Sequence, residues 1–257
     1  MQLGFGSGAL WGERTDKAGS GIGPQQFGVL QDVQIDWDYT TKPLWGQLQF
    51  PVAIARGQGK ITGKARFARI LGSLYSDIYW GLDTAVGQFA VSELEPTTVP
   101  AVSTYTITVT NAAHFNDDLG VYYAATGLPF TRVTTATTAG QYAVNPTTGV
   151  YTFSSADANA PVLISYTWNN TTTGKLITLT NQYTGTTPTF KATFYQPITP
   201  GTPGAGGDVV PTALRLNVCV SSKLTMPTKV DDWQIYELDF EAYAPASGII
   251  GYFSTVE

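Results

Sequence analysis

Over residues 32–39 the chain alternates without a break. Val33, Ile35, Trp37 and Tyr39 take the odd positions, and Asp32, Gln34, Asp36 and Asp38 the even ones. A period of two sends successive side chains to opposite sides of an extended chain, so this segment reads as a strand with one apolar and one acidic face. The alternation returns at residues 59–65, where Ile61 and Ala65 face away from Lys60, Thr62 and Lys64. It returns in Leu214, Leu216, Val218 and Val220 against Ala213, Arg215, Asn217 and Cys219, and in Tyr236, Leu238, Phe240 and Ala242 against Glu237, Asp239 and Glu241. With 27 Gly and 15 Pro to turn the chain, the expected fold class is mainly β: a β-sandwich or barrel with one flanking α-helix and a small inserted β domain.

The helix is expected where Phe67, Ile70, Leu71, Leu74, Tyr75 and Ile78 fall on one face at a period of 3.6, with Gly81 as its stop. Residues 1–24 are rich in glycine and lack periodicity, which suggests an extended N-terminal arm. Residues 97–173 are dense in Thr and nearly free of basic side chains. Short strands at residues 105–109, 121–123, 149–153 and 163–168, with turns at residues 116–118, 145–146 and 169–170, make this a small β insert. The main β domain then comprises residues 25–96 and 174–257. Between the first two strands, residues 40–58 form a connection that is anything but polar, holding Leu44, Trp45, Leu48, Phe50, Val52 and Ile54. Such side chains want a partner surface, and Leu44, Trp45, Phe50 and Ile54 are the expected subunit interface.

The sequence is poor in catalytic signals. A net charge of −5 argues against gripping nucleic acid through phosphate neutralisation. The single cysteine, Cys219, excludes a disulfide framework within the chain and reads as a buried strand residue. One histidine, His114, cannot build a usual zinc site, and no Gly-x-Ser-x-Gly elbow accompanies it. Asn116, Asp117 and Asp118 read as a turn, with a hard-cation loop as the alternative. Gly4-Phe5-Gly6-Ser7-Gly8 lacks the preceding strand and the Gly-Lys-Ser/Thr ending of a phosphate loop. Glu237, Asp239 and Glu241 stand about 6.5 Å apart along a strand, within reach of a glycosidase geometry, but a row of carboxylates on an exposed face better suits a solvated or field-shaping surface. The N-terminus has neither the basic start nor the apolar core of a signal peptide, and no apolar run approaches the roughly 18 residues of a membrane helix. No enzyme activity, cofactor or metal is expected.

Two stretches resemble the tail tube proteins of long-tailed bacteriophages: Phe50-Pro-Val-Ala-Ile-Ala-Arg-Gly-Gln-Gly-Lys-Ile-Thr-Gly-Lys-Ala, and Asp239-Phe-Glu-Ala-Tyr-Ala-Pro-Ala-Ser-Gly. The insert is similar to small β modules of tail proteins through Gly120-Val-Tyr-Tyr, Gly140-Gln-Tyr and Gly149-Val-Tyr-Thr-Phe-Ser-Ser-Ala-Asp. The resemblance implies a structural virion protein, assembled in the host bacterial cytoplasm, whose hexameric rings stack into a tube. Its partners would be itself, a tape measure protein and tail terminator and tip proteins, with DNA transiting unbound and no membrane involved. An acidic wall suits a conduit for a polyanion, and Glu237, Asp239 and Glu241 are the expected lumen-facing residues, with Asp32, Asp36 and Asp38 as the other candidate stripe. Rival readings are another virion or secretion-tube component, or a carbohydrate-binding β-sandwich domain. The tryptophans count against the last, since most lie on expected core faces.

Overall fold

The structure, a computed structural model, describes residues 2–4, 7–16, 23–69, 71–200 and 210–255. It is mainly β with several antiparallel sheets, as the alternation requires. The chain divides into two compact units, Met1–Asp83 with Ile177–Glu257, and Thr84–Leu176.

The first unit opens with β1 (Gln2–Gly4), β2 (Ala9–Arg14), β3 (Gln25–Gln26), β4 (Val29–Trp45) and β5 (Pro51–Arg69). The glycine-rich start is therefore not a bare arm. Leu10 is buried, and Gly12 takes the next inward position, where a side chain would collide with Ile78 and Phe27. An inward glycine hides the period of two, and so the strand was missed. Strands β4 and β5 form one long antiparallel hairpin, and residues 40–58 continue both strands rather than connecting them. Thr41 lies opposite Arg56 and Leu44 opposite Ala53, leaving only residues 46–50 to turn.

The helical segment is shorter than its pattern: an α-turn, Gly72–Leu74, runs into a π-helix, Tyr75–Trp80. Phe67 satisfies both periods, but it completes the buried row Ile61, Gly63, Ala65, Phe67 of β5 and pairs with Leu30 and Tyr236, so strand wins. Ile70 lies outside the described residues. Gly81 ends the segment with φ 66°, its N–H donating to Ser76 O at 2.6 Å across a π-type turn.

The second unit holds β6 (Thr84–Thr98), β7 (Thr106–Thr108), β8 (Phe115–Tyr123), β9 (Thr131–Arg132), β10 (Gln141–Asn145), β11 (Val150–Phe153) and most of β12 (Pro161–Ile177). They form a four-stranded sheet in the order β7-β11-β10-β9 and a three-stranded sheet in the order β6-β12-β8. Its own core is built on Val121, Tyr151, Phe153, Ile164 and Tyr166. Residues 116–118 and 169–170, expected as turns, lie inside β8 and β12; the register of that pair shifts twice, so polar residues ride on irregular strand.

The chain returns to the first unit with β13 (Phe190–Pro200), β14 (Val210–Thr225), β15 (Tyr236–Ala242) and β16 (Gly251–Ser254). The sheet runs β3-β2-β13-β14-β15-β5-β4, with β1 on β13 and β16 on β14. One face carries Leu10, Phe67, Ala192, Leu216 and Phe240, and the helical segment adds Leu74 and Ile78. Phe240 lies directly over Gly63, where a Cβ would sit 2.1 Å from its ring. Gly63→Ala should lower the unfolding free energy by about 1–3 kcal/mol, the usual cost of overpacking. Gly23→Ala, with nothing within 4 Å of its added Cβ, should leave it nearly unchanged, and urea unfolding measures both.

Candidate functional site: an apolar arm beside a charged face

Strand β15 pairs with β5 only as far as Ile61, opposite Ala242. From residue 60 to residue 51 β5 has, among the described residues, β4 as its only partner, so ten residues of ribbon leave the sheet, a reach of about 30 Å at strand rise. Every residue from 36 to 60 is exposed except Pro51, which is half-buried. Leu44, Trp45, Leu48, Phe50, Val52 and Ile54 are between 61% and 82% exposed. A two-stranded ribbon in water is marginal by itself. This one is steadied locally by Arg56, whose guanidinium stacks 4.8 Å from the centre of the Tyr39 ring, and by Thr40 Oγ1, which donates to Gln58 O at 3.3 Å. The structure thus brings Leu44, Trp45, Phe50 and Ile54 together on one exposed arm.

At the root of the arm, three strands present one polar face. The register sets Asp32, Gln34, Asp36 and Asp38 of β4 opposite Arg66, Lys64, Thr62 and Lys60 of β5, and the same β5 row meets Glu237, Asp239 and Glu241 of β15. Acidic and basic residues meet across the ladder, but the basic row leans entirely to one side. Lys64 Nζ lies 2.5 Å and Arg66 Nε 3.1 Å from Glu237, and Lys60 Nζ lies 2.8 Å from Glu241. This removes the ground for choosing Glu237, Asp239 and Glu241 as the free acidic stripe, because two of the three are ion-paired. Asp32, Asp36 and Asp38 have no ion pair among the described residues; Asp36 accepts only from Gln34, at 3.0 and 3.1 Å. Within the paired rows, residues 32–38, 60–66 and 237–241, six carboxylates meet three cations, a local net −3, while Lys42, Arg56 and Arg69 lie farther along the same strands.

The pairing also decides against acid catalysis by Glu237. The Lys64 hydrogen bond, opposed by burial and aided by Arg66, holds its carboxyl below the usual range, whereas a catalytic acid needs the opposite shift. A folded pKa below the unfolded one contributes stability above the unfolded value and loses it as pH falls through the folded one. Lys64→Met should therefore move the pKa of Glu237 upward in an NMR titration and flatten the acid limb of stability against pH. An unmoved Glu237 would contradict the assignment.

The other candidates resolve as structural groups. His114 is exposed at the end of a single 3-10 turn, Ala112–His114. Asp118 is saturated: Oδ2 accepts from Tyr142 Oη at 2.7 Å, Oδ1 from Tyr151 Oη at 2.9 Å and from Gly120 N at 3.0 Å, and Arg132 stands 3.5 Å away. Asp157 takes Tyr123 Oη at 2.6 Å, and burial with this contact pushes the Tyr123 hydroxyl up to about 12. Burial pushes Glu95 up, but donors from Tyr166, Thr110 and Ser92 outweigh it and hold the carboxylate low. These three Tyr–carboxylate anchors of the second unit were not read from the sequence. The Gly-x-Tyr spacing marks only Tyr142 and Tyr151 among the anchoring tyrosines, and nothing in it points to Asp118, which lies upstream of both. Burial raises the Cys219 thiol to about 12, so it stays protonated. Asp118→Ala would strand two buried tyrosine hydroxyls and should cost at least about 1–3 kcal/mol of unfolding free energy, while Asp117→Ala, on an exposed residue, should cost little.

The tryptophans correct a further expectation. Trp37, Trp45 and Trp233 are exposed, and Trp11, Trp80 and Trp168 are only half-buried. Alternation marked a core face, but β4 runs past the core it was assumed to face. Among the described residues no group of three His, Cys, Asp or Glu is placed to hold a metal ion, and no helix is long and apolar enough to cross a membrane. No protein-family model and no curated protein matches the chain.

Proposed function

We propose that this chain is a non-catalytic structural protein that assembles with copies of itself into stacked rings, as a tail tube does, and that the β4–β5 arm is an assembly contact. The exposed apolar arm carries the reading. A lone ribbon with six large side chains in water gains by docking, about 1.5–3 kcal/mol for each one buried. Those six together give roughly 9–18 kcal/mol, against an association cost of about 4–15 kcal/mol. One contact is then weak, and many around a ring are strong. The resemblance of residues 50–65 and 239–248 to tail tube proteins gives the assembly its form, with a tape measure protein and terminator or tip proteins as further partners in a virion tail.

In such a tube the polar face of β4, β5 and β15 suits the channel wall. The local net −3 of its paired rows repels phosphates without holding them, and the unpaired Asp32, Asp36 and Asp38 supply most of that field. Screening, with a Debye length of about 8 Å at physiological salt, confines the effect to DNA passing close to the wall.

Negative-stain electron microscopy of the purified protein tests the reading, with rings or hollow tubes expected. Trp45→Ser with Phe50→Ser should leave a folded protein that no longer polymerises. The double variant polymerising like the parent would sink the role of the arm. A virion or secretion-tube ring of another kind would share the arm but not the long stacked tube. Exposed Trp37, Trp45 and Trp233 favour carbohydrate binding as a second reading. Binding on a glycan array by a protein that stays monomeric would select it.

A further inference from the structure

The first unit carries a second apolar surface, and it is the unpaired edge of a strand. Among the described residues β16 pairs with β14 alone, Phe253 opposite Leu214 and Gly251 opposite Leu216. Around that edge Ile249, Ile250, Tyr252 and Phe253 are between 36% and 64% exposed. Residues 243–255 contain no charged side chain, so nothing charged in that segment is desolvated when the edge is covered. An apolar edge with a free row of backbone groups is a template for another strand.

The arm supplies such a strand. Pro43 carries no N–H, which suits β4 poorly as a pairing edge, whereas residues 52–58 of β5 hold no proline and, among the described residues, pair with β4 alone. A standard interface needs roughly 800 Å² from each partner. Val52 and Ile54 against the partly exposed Ile249, Ile250, Tyr252 and Phe253 give less than that, so Leu44, Trp45, Leu48 and Phe50 of the arm must lie on the same neighbour to complete it.

Resting on the self-assembly reading, we infer that the acceptor of the arm is the β16 edge of a second copy, with residues 52–58 of one chain lying along Gly251–Ser254 of the next. Arm and edge are different patches, so the contact is head-to-tail. It leaves each joined pair with one free arm and one free edge, and it propagates to a ring or filament. Pairing of arm with arm would stop at two copies.

A mixing experiment tests the assignment. The arm variant is Trp45→Ser with Phe50→Ser, and the edge variant is Phe253→Lys. Ile249→Lys replaces the latter if circular dichroism shows that it does not fold. Each alone should sediment as a monomer under conditions where the parent assembles. Mixed one to one, they should give a capped dimer of twice the monomer mass and nothing larger, because only one intact arm and one intact edge remain per pair. With Cys219 buried, cysteines placed by Ile54→Cys in the edge variant and Ile250→Cys in the arm variant should form a disulfide between chains in that dimer only. Assembly of both folded edge variants like the parent would overturn the acceptor assignment while leaving the self-assembly reading intact. So would a mixture that stays monomeric or grows past two copies. A parent protein that is monomeric at every concentration would overturn both.

Discussion

Strand β15 ends opposite Ile61, and the character of the first unit turns on that ending. Inside it, β5 is an interior strand whose inward row of Ile61, Gly63, Ala65 and Phe67 meets Phe240, the helical segment and Phe27. Outside it, the same strand has one neighbour and no core among the described residues. Alternation persists beyond that point, with the apolar positions of β5 passing from odd (Ile61, Ala65) to even (Ile54, Val52) across the register shift between Tyr39 and Thr41, so large apolar side chains are carried into water. The Lys60–Glu241 pair marks the boundary, half exposed on both sides and worth at most about 1 kcal/mol. Packing of the sheet, not that pair, holds the root of the arm.

Charge on the polar face follows from the same arrangement. An interior basic row between two acidic rows can be shared or captured, and here β15 captures it. The register alone would allow Asp32 to meet Arg66 and Asp38 to meet Lys60. The side chains turn instead to Glu237 and Glu241, which leaves β4, the edge strand, with the uncompensated charge. Free carboxylates on an edge also discourage indiscriminate strand pairing along the body of the sheet. The second unit stands on a different device. Its Thr-rich strands bury few large aliphatics, and Tyr123, Tyr142, Tyr151 and Tyr166 make up the difference by filling space with their rings and anchoring their hydroxyls on Asp157, Asp118 and Glu95.

Much of this was legible in the residues. The alternating rows of β4, β5, β14 and β15 named their own faces, and the turn-rich segment between them was visible as a composition shift. The greasy character of residues 40–58 was plain, but its geometry was not, because period alone cannot say where a neighbouring strand stops. Phe67 shows the complementary ambiguity: it fits a helix and a strand equally, and only its partners decide. Strand β2 escaped because Gly12 occupies an inward position that a side chain could not. The direction of the Lys64 and Arg66 ion pairs could not be read at all, since it depends on which of two acidic neighbours lies within reach.

The ladder of the arm has a mechanical meaning. Its hydrogen bonds lie across the strands, so a pull along the ribbon through β5 against β4 loads them together, whereas prising the tip apart at residues 46–50 breaks them one after another. An arm gripped along its length resists tension as a strap does, and one gripped only at the tip opens like a zip.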